Sequence, residues 1–155
     1  SEMCIRDRLS YRRSELDMKK MDEIIKDNGI GLFAVELKET GEWLGFIGVN
    51  YIPEDSKYPF KELPFYEIGW RLIPEVWGNG LATEGAQAVL SYAKEKGITE
   101  LYSFTSETNL PSRKVMEKIG MTFLDNFEFP NLSKYHPLKR HVRYYIELLP
   151  SQSEG

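Results

Sequence analysis

The run Trp77-Gly78-Asn79-Gly80-Leu81-Ala82-Thr83 has the residue types of an anion site. Gly78 and Gly80 lack a Cβ, so an anion can approach the backbone closely there. The run opens a helical pattern, and the first N–H groups of a helix have no intrahelical acceptor and sit at the positive end of its dipole. A pyrophosphate fits such a place without a lysine. The run alone is equally compatible with a tight strand-to-helix turn that binds nothing. A Walker A loop is excluded, because Gly-Lys-Ser/Thr occurs nowhere in the chain. A dinucleotide fingerprint fits poorly: its third glycine falls at Thr83, and its strand should open the domain.

Other reactive types are sparse. Cys4 is the only cysteine, which excludes an intramolecular disulfide and a multi-cysteine zinc site and fits a cytoplasmic setting. It has no histidine nearby in sequence to act as its base. His136 and His141 lie five apart with no evident third ligand, so no metal is expected. Lys139, Arg140, His141 and Arg143 read as a solvated face or a strand edge.

The elements that position the glycine run follow from periodicity. Ser14 reads as an N-cap, and Leu16, Met21, Ile24 and Ile25 as the buried stripe of a helix stopping near Asn28-Gly29. Gly31 to Leu37 and Trp43 to Tyr51 form a hairpin about a polar turn at 38–42. Residues 52–64, with Pro53, Pro59 and Pro64, read as a surface loop able to contribute to a substrate mouth. Phe65 to Ile73 is a strand with Ile68, Trp70 and Leu72 on one face and Glu67, Gly69 and Arg71 on the other. A helix runs from Gly80 or Leu81 to about Lys96. Thr99 to Ser106 is a strand, Pro111 to Ile119 a short helix, and Met121 to Phe129 and Val142 to Leu149 a final antiparallel pair. The order predicts a mixed α/β domain over residues 14–150, with a parallel crossover at its centre, a leader at 1–13 and a tail at 151–155.

The totals agree. The 155 residues suit one core, and 41% hydrophobic with 28% charged residues is ordinary for a globular chain. A net charge of −4 does not suggest a nucleic-acid binder. No apolar run approaches the roughly 20 residues that span a bilayer, and no signal-peptide pattern is visible.

The run from Tyr66 to Glu84 resembles the core of a GNAT N-acetyltransferase. Asn109-Leu110-Pro111-Ser112-Arg113-Lys114-Val115-Met116-Glu117-Lys118-Ile119-Gly120 is similar to a second signature of the ribosomal-protein N-terminal acetyltransferase branch. The resemblance covers about residues 14–149 and implies acetyl-CoA as donor, with no metal. It implies that the backbone of Leu72 and Ile73 pairs with the pantetheine arm. The amides from Trp77 through Gly78, Asn79, Gly80, Leu81 and Ala82 to Thr83 would hold the pyrophosphate, Asn109 would touch the pantetheine or an ordered water, and Arg113 would lie near the adenosine.

Acetyl transfer to an amine needs a neutral amine, a polarised thioester carbonyl and a proton for the thiolate. Glu67, on the strand leading to the glycine run, is the candidate base, as in many members of that family; alternatively it is a strand carboxylate paired with Arg71. Ser112 is the candidate partner of the thiolate, or simply helps start its helix. The Ile73 N–H is a candidate to polarise the carbonyl. The acceptor is a primary amine, on a small molecule or a protein N-terminus, and the protein a monomer or homodimer. The alternatives are a catalytically silent acyl-CoA-binding module and another α/β enzyme sharing only the glycine turn.

The family's domain usually begins with a further strand and helix; the 13 residues before Ser14 do not read as such a pair, so both are expected to be missing here. The Gly31–Leu37 strand is therefore expected to lack a neighbour and to expose an edge, with self-association through it.

Overall fold

The computed structural model describes residues 16–25 and 30–149. The expected leader, the Ser14 cap, the Asn28-Gly29 stop and the tail after residue 150 lie outside them. In chain order the elements are β1 (Leu16–Ile25), β2 (Ile30–Leu37), β3 (Trp43–Ile52), β4 (Phe65–Leu72), a 3₁₀ turn at Pro74–Val76, α1 (Leu81–Glu95), β5 (Glu100–Ser106), α2 (Leu110–Lys118), β6 (Thr122–Glu128) and β7 (Arg140–Glu147). The strands form one sheet in the order β1-β2-β3-β4-β5-β7-β6. Only β4 and β5 are parallel; every other neighbouring pair is antiparallel.

Two expectations are corrected. The segment read as a first helix is strand β1, which pairs along β2 from Leu16↔Leu37 to Ile25↔Ile30. Its apolar spacing suits a helix, but the open backbone edge of β2 offers a ladder that local propensity cannot foresee. Leu16 is buried and Met18 packs against the core. The edge expected on β2 is consequently covered, and β1 takes the outer position.

Burial explains the remaining elements. In β3, Leu44, Ile47 and Val49 are fully buried in one core cluster, while Trp43 and Tyr51 are exposed, as suits an antiparallel strand with one face on the core. Small residues let α1 lie close to this strand: Gly85 faces the Ile47 side chain, with Ala86 and Ala93 buried beside it. Ile68 and Leu72 of β4 join the helix-side core, together with Met116 of α2. Phe65 joins a second, aromatic cluster with Phe60 and Tyr102, on the face covered by the 53–64 connection. The expected two-faced pattern of β4 is therefore present.

Gly45 has a structural reason to be glycine. It sits at φ 137°, and a Cβ there would lie 2.1 Å from the Arg71 carbonyl oxygen and 2.8 Å from the Leu72 Cα. Backbone on both strands blocks relief, so Gly45→Ala is expected to cost about 3 kcal/mol. At this chain length that lowers the melting temperature by on the order of 10 °C, read by thermal denaturation. An unchanged melt would show that β3 and β4 can separate locally at no cost.

Candidate active site

The parallel pair β4–β5 meets at a single ladder position, Glu67↔Tyr102. Past it, Gly69 to Leu72 and Ser103 to Thr105 line opposite sides of a cleft of about 850 Å³. The hydrogen-bond parity of β4 shows which backbone groups face it. Ile73 N–H donates to Leu44 O at 2.8 Å, so the odd-numbered residues of β4 bond to β3. The even-numbered ones point the other way. Ile68 O accepts from Ser103 Oγ at 2.8 Å, and Leu72 O accepts from Trp77 Nε1 at 2.7 Å. Between them, the N–H and C=O of Trp70 face the cleft, as does the Leu72 N–H.

Ile73 is therefore corrected. Its N–H belongs to the sheet and cannot serve a thioester, and its carbonyl already accepts the Val76 N–H at 3.1 Å. The strand backbone open to a ligand is that of Trp70 and Leu72. The strand pattern alone could have shown this parity once the register with β3 was known.

The glycine run closes one end of the cleft. Gly78 and Gly80 have φ of 79° and 78°, left-handed values that side chains with a Cβ adopt only with strain. Gly80 is the N-cap of α1 and provides no side-chain cap. The amides from Gly78 to Thr83 find no acceptor among the described residues, and the first helical bond is Glu84 N–H to Gly80 O at 2.9 Å. Trp77 differs from the expectation: its amide donates to Pro74 O at 3.1 Å, while its indole braces the run against the end of β4. Six open amides, Gly78 through Gly80 and Leu81 through Thr83, thus lie together at a helix start, the arrangement that favours an anion.

On the opposite wall, α2 supplies Ser112, Lys114, Val115 and Lys118. Asn109 lines the cleft too, but its side chain is committed: Oδ1 accepts the Ser112 N–H at 3.2 Å as the helix N-cap, and Nδ2 donates to Thr105 Oγ1 at 3.0 Å. It ties α2 to the end of β5. Arg113 is not on this wall. Its Nη1 donates to Glu107 O at 2.9 Å and its Nε to Tyr144 Oη at 3.2 Å. The neighbouring Lys114 and Lys118, four apart on the stripe that carries Val115, line the cleft, as does Arg71 of β4. Their shared stripe was the available signal.

Glu67 and Ser112 come together as walls of the same cleft. Glu67 has no ion pair with Arg71, which is exposed; its Oε2 instead accepts from Asn50 Nδ2 at 3.5 Å. Gly69 makes room for it, since a Cβ there would lie 3.0 Å from Oε1. Burial raises its pKa from 4.5 to about 7, and the Asn50 hydrogen bond opposes this only weakly. A carboxyl poised near neutrality can both accept and release a proton.

The remaining candidates lie elsewhere. His136 Nδ1 accepts the Leu138 N–H at 3.0 Å, and His141 packs against Phe127 and Phe129. No cluster of three or more metal-binding side chains occurs among the described residues. No described helix is long and apolar enough to cross a membrane.

The chain that folds into this cleft matches a known domain. The family model described as "Acetyltransferase (GNAT) domain" matches residues 6–122. The chain belongs to the GNAT acetyltransferase family. A curated relative, the FsC-acetyl coenzyme A-N(2)-transacetylase of Aspergillus fumigatus, is 33% identical over 88 residues, covering 56% of this GNAT chain and 37% of the relative. The GNAT-family acetyltransferase structure from Bacillus anthracis is 32% identical, with a TM-score of 0.60 over 76% of this chain and 66% of that one. A ribosomal-protein-S5-alanine acetyltransferase from Vibrio fischeri shares the fold, with a TM-score of 0.60 at 17% identity over 75% of this chain and 60% of that one. The chain spans between about a third and a half of the curated relatives it matches.

Proposed function

We propose that this GNAT chain transfers an acetyl group from acetyl-CoA directly to a primary amine within a ternary complex. The observation that carries the reading is the one-position contact between β4 and β5. It opens a passage from the six amides of the glycine run to the Glu67 carboxyl, so that donor and base share one cleft.

The amine nitrogen bonds to the acetyl carbon and the carbon–sulfur bond breaks. An ammonium has no lone pair, so Glu67 takes its proton, directly or through water; at a pKa of about 7 the carboxyl is ionised for part of its population at neutral pH. The sulfur leaves as thiolate and needs little help, because thiol pKa values lie near 8.5. Ser112, a wall of the same cleft, would donate a hydrogen bond there. The open strand groups of Trp70 and Leu72 would orient the donor's amide-bearing arm as an added strand does. The amides from Gly78 to Thr83, with Lys114 and Lys118 opposite, would hold its phosphates.

The resemblance of the Asn109–Gly120 segment to the ribosomal-protein branch favours a peptide or protein N-terminal amine as acceptor. Calorimetry with acetyl-CoA and with NAD tests the donor: heat is expected with acetyl-CoA alone, and binding of NAD alone overturns the reading. Release of free thiol over a panel of peptide and small amines tests the transfer. Acetyl-CoA binding without release for any amine leaves a silent acyl-CoA-binding module.

A further inference from the structure

One buried cation joins three separate pieces of the chain. Arg143, on β7, stands in a run that reads as a solvated charged stretch, yet it is only 3% exposed. Its Nε and Nη2 donate to Oδ1 and Oδ2 of Asp125 on β6 at 3.0 and 2.7 Å. Its Nη1 donates to Oε1 of Glu62, in the 53–64 connection, at 2.8 Å. The guanidinium lies 4.1 Å from the ring centre of Phe60 in the same connection, and 5.1 Å from that of Tyr102 on β5. The planar fork meets two carboxylates and two rings at once, which a lysine point charge cannot do. Asp125 alone could neutralise the cation, so what Glu62 adds is the attachment of the connection.

That connection covers the face from which Glu67 projects. Its Tyr58 ring packs 5.0 Å from Phe104, a wall of the cleft shared with Glu67. Tyr102, beneath Arg143, is the ladder partner of Glu67. Asn50 of β3 donates to the Glu67 carboxyl, the Tyr58 hydroxyl of the connection is near enough to feel its charge, and Arg71 of β4, Phe104 of β5 and Lys114 and Lys118 of α2 line the same cleft. Nearness to Glu67 also holds the Tyr58 hydroxyl above its ordinary pKa, after the larger effect of burial.

We infer that Arg143 and Glu62 form a latch that holds the 53–64 connection closed over Glu67, and that both are positioning residues for the transfer. The inference rests on the reading of Glu67 as the base, and it makes the dryness of that carboxyl depend on an ion pair on the far side of the connection.

Carboxyl carbon-13 NMR on the whole chain tests it, with the Glu67 signal assigned through Glu67→Gln. Glu62 is 39% exposed, so Glu62→Ala removes the acceptor of Arg143 Nη1 without leaving a buried cavity, and Arg143 keeps Asp125. In the unaltered chain Glu67 is expected to titrate near 7. In Glu62→Ala, water reaching the carboxyl is expected to bring the midpoint to about 6 or below, a tenfold or greater loss of proton affinity. A midpoint that stays in place, or one already at an ordinary carboxylate value in the unaltered chain, overturns the latch. The titration needs no turnover, so it stands apart from the base assignment: a moved midpoint together with undiminished transfer by Glu67→Gln sinks the base and keeps the latch.

Discussion

Glu67→Gln is expected to lower acetyl transfer by about 10²-fold or more while leaving acetyl-CoA affinity within about twofold, and at the same time to stabilise the protein above neutral pH. Both effects have one cause. Glutamine keeps the shape of Glu67 and can still accept from Asn50, but it cannot take the proton of an incoming ammonium. The stability effect follows from linkage. The folded pKa of Glu67 is raised from 4.5 to about 7, so between those values the folded chain binds more protons than the unfolded one. Stability is therefore fully present below about 4.5 and declines as pH rises to about 7. Each tenfold change in acidity corresponds to about 1.4 kcal/mol. Allowing for water in the cleft, the ionised carboxyl costs the fold on the order of 2 kcal/mol at pH 8. Glutamine removes that cost, which raises the melting temperature by on the order of 5 °C at pH 8 and by little at pH 4. Steady-state thiol release and melts at both pH values check the pair. Unchanged turnover removes Glu67 as base, and an equal melting shift at both pH values removes the raised pKa.

Gly80→Ala is expected to weaken acetyl-CoA binding by about 10- to 100-fold with a modest loss of stability. A Cβ on Gly80 would meet nothing within 4 Å, so the fold has room for the methyl. Its φ of 78° costs an alanine about 1–2 kcal/mol, which the loop can relieve only by turning its amides away from their common focus. Gly97, just past α1, separates strain from binding. It has a φ of 90° and equally open surroundings, but does not line the cleft. Gly97→Ala should lose the same few degrees of melting temperature and keep its affinity in calorimetry. Equal loss of affinity in both variants would mean that the amides of the glycine run are not the anchor.

What was legible in the sequence was local. β2 to β7 and both helices announce themselves by alternation or helical spacing between glycine and proline stops, and the glycine end of the cleft by two glycines before a helix. Glu67 was legible because it shares a strand with that site. β1 was not, since Leu16, Met21, Ile24 and Ile25 fit a helix as well as a strand until the edge of β2 is known. Parity hid the true strand groups: Trp70 in place of Ile73 depends on which neighbour each amide meets. Arg113 and Lys114 are adjacent in sequence but face opposite ways on α2. The Arg143–Glu62 contact joins residues 81 positions apart, and no local pattern in either segment points to the other.

The insertion of β7 between β5 and β6 has a consequence for the birth of the protein. Chains are synthesised from the N-terminus, so β5 and β6 leave the ribosome before the strand that belongs between them. Until β7 arrives neither has its ladder partner on that side, and Asp125 and Glu62 wait as bare carboxylates for an arginine not yet translated. The nascent chain can assemble its glycine run early. On the latch proposed above, the 53–64 connection is fastened over Glu67 only when the last strand arrives, which makes completion of the sheet and closure of that face one event.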